Sequence, residues 1–432
     1  MLLRRLPYRV VLLCYYVIHP PRRVGQRGLP HSVIAFVQRM PQRNSGLLQC
    51  AYMTASKHKQ RGLRGKFAQL GSQLALESHT GHGVDTRLPQ ADRRRAPRLP
   101  GVSFSFKIGR MPANPASSSI YPKRVRPPAL RPGDTVGIVA PASNIQRPLL
   151  EAGCRALAEL GYKPFYLPSI FEQDLYFAGS AERRARELEE MFERDEVRAI
   201  IAARGGYGCN YLLPALRLEK IKAHPKIFVG YSDITTLLTF FADACGCVAF
   251  HGPMAAKDFA EEGHVQLSSW NAALGGAAKW EIPTEGVLPL VPGRAEGILY
   301  GGCLSLLVAS LGTPYEVRTD DTLLFIEDVA AKPFQIDRML MQLKLAGKLQ
   351  KVRGIVFGEM LDCVQNSTQG YALTDVVRPI VGDLGFPVAY GLPSGHVNRA
   401  NITLPIGVSA ALAVEDTVRI TILEPATELK GS

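Results

Sequence analysis

"KIFVGYSDITTLLTFFADACG", residues 226–246, changes its hydrophobic period within a few positions. Ile227, Phe228 and Val229 form the short apolar run of a buried parallel strand, whereas Ile234, Leu237, Leu238 and Phe241 recur at helical spacing. Ser232 stands at the corner. A serine there is either a helix N-cap, its oxygen accepting from an orphan backbone N–H, or a nucleophile held out on a tight turn. Gly230 allows such a turn, but Ile234 replaces the second glycine of G-x-S-x-G, so the corner is not that of an α/β-hydrolase.

Upstream, "DTVGIVAPAS" (134–143) reads as an apolar strand ending in a loop, and "PLLEAGCRALAELG" (148–161) as a helix with Pro148 in its first turn and Gly161 past its end. "SAERRARELEEMFERD" (180–195) reads as an exposed helix capped by Ser180. The strand "VRAIIAA" (197–203) and the loop "RGGYG" (204–208) lead into the opening stretch. Alternation of this kind implies a parallel sheet with helices on both faces and sites at the carboxyl ends of its strands. Downstream, "WEIPTEGVLPLVPGRAEG" (280–297) concentrates Pro and Gly as a linker does. Beyond it come strands in "GILYGG", "TLLFIED", "VRGIVFGEM", "FPVAYGLP", "ITLPIGVSAAL" and "TVRITILE", with helices near 302–311, 333–346 and 374–384. The expected fold is α/β: two tandem α/β domains, 125–265 and 297–428, joined by a linker over 266–296, with mainly parallel sheets in the first. Their junction is a natural cleft.

Charge sets the first quarter apart. Residues 1–110 carry 20 Lys and Arg against 3 Asp and Glu, which leaves 31 basic and 35 acidic residues for the rest. Stretches such as "HPPRRVGQRGLPHS" show no sustained period, so residues 1–120 are expected to be a basic, disordered extension. "RVVLLCYYVIHPPRR" has a short apolar run after basic residues, but no small-x-small cleavage site follows it and it is too short to span a bilayer. Met111 precedes the polar "PANPASSS" and the first structured segment, and a start there gives a chain of about 320 residues, within the usual size for two domains. No function is attached to the extension. The acidic balance of the remainder argues against nucleic acid as a partner.

The eight cysteines are scattered, and Cys245-Gly246-Cys247 lacks the spacer of zinc or redox motifs, so buried free thiols are expected. "GGYGCNY" has Tyr211 where a dinucleotide-binding loop needs glycine, and no P-loop or H-E-x-x-H motif occurs. No cofactor and no metal are expected, which leaves side-chain chemistry or simple binding. A nucleophilic serine needs a base within reach and a carboxylate to orient that base. Glu327 and Asp328 stand where an apolar strand stops, and one should face the cleft unless both are solvated or cap the helix near Pro333. His251 in "VAFHGPM" and His396 in "GLPSGHVN" both end strands, and spacing does not choose between them.

Taken together, "LRPGDTVGIVAPAS", "ARGGYGCNYLLP", "FVGYSDITTLL", "FHGPM", "GGCLSLL", "LFIEDVAAKPFQIDRMLMQL" and "PSGHVNRANITLPIG" occur in the order found in a known family. From Pro128 to Thr427 the chain resembles the LD-carboxypeptidases, serine peptidases that include muramoyltetrapeptide carboxypeptidase and the microcin C immunity peptidases. The resemblance implies Ser232 as nucleophile, Glu327 as orienting acid and His396 as base, at the meeting of an N-terminal and a C-terminal domain. It also implies a cytoplasmic homodimer, without stable membrane association, that releases terminal D-alanine from a murein tetrapeptide. The alternatives are an amidase acting on aminoacyl-nucleotide conjugates, for which Trp270 and Trp280 are the available stacking residues, and a silent binding module for wall peptides. The N–H of Asp233, opening a helix, is one candidate oxyanion donor; Gly206 is the second, beside Gly205, whose bare backbone admits close approach. Arg204 and Tyr207 are candidate substrate contacts. Arg338 is another cation that could hold a substrate carboxylate.

Overall fold

The computed structural model describes residues 123–365 and 370–429. The readings placed on residues 1–120, including the apolar run, the start at Met111 and the cysteines Cys14 and Cys50, lie outside the described residues.

The first part of the chain follows the alternation. Strands β1 (Thr135–Val139), β2 (Lys163–Phe165), β3 (Val197–Ala202), β4 (Ile227–Gly230) and β5 (Ala249–His251) pair in parallel as β5-β4-β3-β1-β2. Helices Arg147–Glu159, Ala181–Glu193 and Thr235–Cys245 lie between them. Apart from the short edge strand β2, the strands are almost wholly buried, as their apolar composition requires of a sheet covered on both faces.

The second part contributes β6 (Trp280–Ile282), β7 (Leu288–Val291), β8 (Gly293–Cys303), β9 (Thr322–Glu327), β10 (Gly354–Gly358), β11 (Val388–Leu392), β12 (Leu404–Ile406), β13 (Ser409–Val414) and β14 (Val418–Ile422). Eight of these form a mixed sheet in the order β6-β14-β13-β8-β9-β10-β11-β7. Its centre, β8 to β11, is parallel, and its flanks are antiparallel.

Three expectations need correction. Residues 266–296 are not a linker, because they fold into the helix Leu267–Leu274 and the two outer strands, β6 and β7. Pro289 within β7 is tolerated because an edge strand has a side that donates to no neighbour. "ITLPIGVSAAL" is likewise not one strand. Gly407 takes φ +100° and breaks it, so that β12 crosses over to pair antiparallel with β5 of the first sheet while β13 stays in the second. The tandem halves are therefore stitched together by a returning strand.

The helix Ala181–Glu193 is not exposed either, although Ser180 caps it by accepting from the N–H of Arg183 at 3.2 Å. It buries Arg183, Arg184, Glu187 and Glu189 beside Leu188, Met191 and Phe192. Arg183 is paired with Glu187, and Arg184 donates to the carbonyls of Pro141 and Gly208 at 2.7 and 2.9 Å. Such charges tolerate burial because each finds a partner. Cys209, Cys245, Cys247, Cys303 and Cys363 are buried free thiols and Cys154 is half-buried. Among the described residues no helix is long and apolar enough to cross a membrane.

The helix Arg147–Glu159 sits directly on the segment after β5. A Cβ added at Gly153 would lie 1.8 Å from the carbonyl oxygen of Ala255. Gly153→Ala must push the helix off that backbone, and overpacking of this kind costs about 1–3 kcal/mol. The expected outcome is a lower thermal unfolding midpoint than wild type; an unchanged midpoint would contradict the close seating of this helix.

Candidate active site

Ser232 lies just beyond the carboxyl end of β4, with φ at +64°. This left-handed conformation costs a non-glycine residue about 1–3 kcal/mol and persists only where the surroundings enforce it. Ser232 opens a single helical turn that continues into the helix Thr235–Cys245, and its side chain caps neither. The N-cap alternative fails on that geometry. Its Oγ instead meets His396 Nε2 at 3.1 Å.

His396 lies in the loop between β11 and β12, which is the crossing from the second sheet to the first. Its Nδ1 is 2.7 Å from Glu327 Oε2, and its backbone N–H donates to the same oxygen at 3.1 Å. Glu327 ends β9 and is 1% exposed. Room for its carboxylate comes from two glycines, since a Cβ at Gly395 would fall 2.7 Å from Oε2 and one at Gly358 2.7 Å from Glu327 Cβ. The neighbouring carboxylate turns away: Asp328 accepts from Ser305 N at 2.9 Å, holding the helix Leu304–Ala309, and does not cap the helix at Pro333.

Electrostatics follow from this geometry. Burial alone would favour a protonated Glu327, but the charge of His396, the hydrogen bond from its ring and the nearby His251 ring outweigh it and hold the carboxyl below its ordinary value. Burial would likewise favour a neutral His396, yet the Glu327 charge and hydrogen bond raise the ring above its ordinary value. Asp233 is raised by burial against the bond it accepts from Cys209 N at 2.8 Å. That bond ties the end of the "RGGYG" loop to the Ser232 turn.

The structure brings some of the other sequence candidates to Ser232 and leaves others apart. A Cβ on Gly205 would sit 2.7 Å from Ser232 Cβ and 3.3 Å from Asp233 N, so only a bare backbone fits against the corner. Gly206, at φ +114°, faces Ser143, whose Oγ accepts from Tyr207 N at 3.2 Å. Arg204 is exposed and reaches the carbonyl of Asn144 at 3.5 Å. Tyr207 is half-exposed in a group of rings with Tyr176, Phe177 and Tyr211. Arg338 stacks on Phe334 on the outer face of its helix. Trp270 is fully buried against Phe259, and Trp280 belongs to the outer strand β6.

Sequence reasoning missed the residues that hold the loops in place. Asn401 is buried and grips the Gly395 peptide from both sides, accepting from its N–H at 3.0 Å and donating to its carbonyl at 3.1 Å. Its amide also donates to Asp258, which accepts from Tyr231 O–H, the residue before Ser232. Arg184 clamps the 141 and 208 carbonyls on the other flank. The one available signal was that Asn401 falls in "PSGHVNRANITLPIG". Among the described residues no group of three or more His, Cys, Asp or Glu side chains is clustered as metal ligands would be.

Family models for the LD-carboxypeptidase N-terminal domain and the LD-carboxypeptidase C-terminal domain match residues 136–252 and 296–412. A probable murein peptide carboxypeptidase of Bacillus subtilis is 39% identical over 298 residues, which is 68% of this chain and 93% of that protein. A crystal structure of muramoyltetrapeptide carboxypeptidase from Oxalobacter formigenes superposes with a TM-score of 0.60 at 28% identity, covering 67% of this chain and 98% of that one. The microcin immunity protein MccF in complex with glutamyl sulfamoyl guanosine superposes with a TM-score of 0.65, covering 70% of this chain and 99% of that one; at 24% identity this shows a shared fold. A serine, a histidine and a buried glutamate linked in series thus sit within a chain matched by both family models and by a full-length relative: the chain belongs to the LD-carboxypeptidase family.

Proposed function

We propose that this protein is a serine carboxypeptidase that hydrolyses the L,D-amide bond before the terminal D-alanine of murein tetrapeptides, in cell-wall recycling. The observation that carries the chemistry is the unbroken series Ser232 Oγ, His396 Nε2, His396 Nδ1 and Glu327 Oε2, at 3.1 and 2.7 Å. The substrate class is carried over from the relatives whose names specify murein peptides.

In this reading Ser232 Oγ attacks the carbonyl carbon of the L-configured centre while His396 takes its proton. The tetrahedral oxyanion is met by backbone N–H groups, for which Asp233 at the start of the helical turn and Gly206 in the loop are the proposed donors. His396 returns the proton to the departing D-alanine nitrogen as the C–N bond breaks, leaving an ester on Ser232. Water, deprotonated by His396, then cleaves that ester and frees the tripeptide carboxylate. Glu327 keeps Nδ1 protonated and stabilises the imidazolium throughout. Arg204, Gly205 and Tyr207 are proposed substrate contacts. The protein is further proposed to act as a cytoplasmic homodimer; sedimentation at micromolar concentration checks the oligomeric state.

The decisive experiment is mass-spectrometric detection of D-alanine from a synthetic murein tetrapeptide, with the full chain and its Ser232→Ala variant. Release that disappears in the folded variant supports the proposal. No release by folded wild type, or equal release by both, refutes it and turns attention to aminoacyl-nucleotide amides or to simple binding.

The acid limb of kcat/KM provides a second check. His396 acts as base only when neutral, so activity falls as pH drops through its raised value, and the limb should lie above the ordinary histidine value of about 6.5. Glu327→Gln removes the charge that raises it. The limb should move to lower pH while kcat falls by about 10⁴-fold, and a variant with the wild-type limb and kcat would show that Glu327 plays no such part.

A further inference from the structure

His251 ends β5 in the "FHGPM" block, and the relay above leaves it unused. It is fully buried, so it reaches neither solvent nor substrate. Strand register sets it beside Gly230 of β4 and Leu404 of β12, on the side of Glu327 away from His396's bonds to Oε2. Its Nδ1 is 3.1 Å from Ser394 Oγ, and its Nε2 faces Glu327 Oε1 at 3.9 Å. Both of those facing atoms are buried, and neither has a hydrogen-bond partner.

The protons can be counted. Ser394 Oγ also lies 2.8 Å from the carbonyl oxygen of Ile402, which only accepts. If the single hydroxyl proton goes to Nδ1 and not to Ile402, Ser394 and Ile402 oppose two acceptor oxygens at 2.8 Å, and a neutral ring carries its own hydrogen on Nε2. If that proton goes to Ile402, Nδ1 must donate to Ser394, and Nε2 is then either bare or protonated as well. A bare Nε2 would aim a lone pair at a carboxylate oxygen out of water, leaving two buried acceptors opposed and unsatisfied, a costly arrangement. Every other assignment places a hydrogen between Nε2 and Oε1.

We propose that His251 is a positioning residue for Glu327: its Nε2–H is aimed at Oε1, Ser394 fixes its other nitrogen, and the carboxylate is thereby gripped between two histidines. At 3.9 Å the contact is longer than a hydrogen bond, and the proposal requires it to tighten when substrate binds. The remaining titratable groups around the pair are otherwise engaged or kept uncharged. Asp328 is bonded to Ser305, Tyr231 is bonded to Asp258, and burial raises the Tyr231 hydroxyl and the Cys303 thiol. Lys257 acts on His396 from the loop after β5, opposing its protonation.

This inference rests on the reading of Glu327 as the acid that orients His396, so its test separates the two. In His251→Asn the amide reaches the Nδ1 position toward Ser394 but stops short of Glu327; in His251→Gln it reaches the Nε2 position. With the full chain, His251→Asn should lower kcat about 10- to 100-fold, as misplacement of a catalytic group does, with KM little changed. Its acid limb should shift to higher pH, because a carboxylate short of one donor holds the His396 proton more tightly. His251→Gln should keep most of the activity. Equal losses in the two folded variants, or a wild-type limb in His251→Asn, would make His251 a packing residue and overturn the proposal. Long-range ¹H–¹⁵N spectra of histidine-labelled wild type give a readout free of activity: a protonated Nε2 on His251 is expected, and a bare one refutes the assignment. Wild-type kcat in Glu327→Gln sinks the underlying reading, whereas loss there with full activity in His251→Asn sinks this inference alone.

Discussion

A carboxylate withdrawn completely from water either finds donors or gives up its charge, and the site is organised around that constraint at Glu327. Oε2 takes two hydrogen bonds from one residue, the backbone N–H and Nδ1 of His396. For a main chain and a side chain of the same residue to reach one oxygen, the loop must approach to van der Waals distance, and this is why Gly358 and Gly395 border the carboxylate. Asn401 in turn holds the Gly395 peptide, and Asp258 holds Asn401. The orientation of one histidine is therefore spread over a network that reaches back to Tyr231, beside the serine it serves.

The same logic explains the crossing strand. Ser232 belongs to the first sheet and Glu327 to the second, so the distance between them depends on how the sheets are fixed to one another. β12 pairs with β5 immediately after the His396 loop, while β13 remains in the second sheet. From the other side Thr235, three residues past the serine, accepts from Cys303 N at 3.0 Å, and Gly302 leaves space for its side chain. The histidine loop is thus anchored in both sheets and does not depend on closure of two loosely joined lobes to meet the serine.

Much of this was legible in the sequence, and the failures share a physical cause. β1, β3, β4 and β5 and the helices between them follow from apolar runs and helical spacing, because a sheet covered on both faces permits little else, whereas the three-residue edge strand β2 carries no such run. Ser232, Glu327 and His396 stood out because each falls at or shortly after the end of a strand in a quotable motif. The helix Ala181–Glu193 misled because charge normally marks solvent, whereas Arg183, Arg184, Glu187 and Glu189 satisfy one another or nearby carbonyls and loops inside the protein. The stretch 266–296 misled because Pro and Gly mark edges of a sheet as readily as linkers. Asn401, Asp258 and Arg184 were invisible because their roles consist of contacts far apart in the chain, which periodicity does not encode.

Ser232 sits at the corner of strand and helix for a mechanical reason. A cap needs extended dihedrals and turns its oxygen toward the helix. At φ +64° Ser232 has given up that geometry, and its oxygen points out of the turn to His396. The strain is sustained from two directions: Gly205 lies against the serine Cβ, and Asp233, locked to Cys209 N, prevents the turn from unwinding. A side chain at position 205 would displace the corner, and loss of the Asp233 bond would free the loop that braces it. The serine is held ready to attack a substrate because the backbone around it cannot relax into the conformation in which it would merely cap a helix.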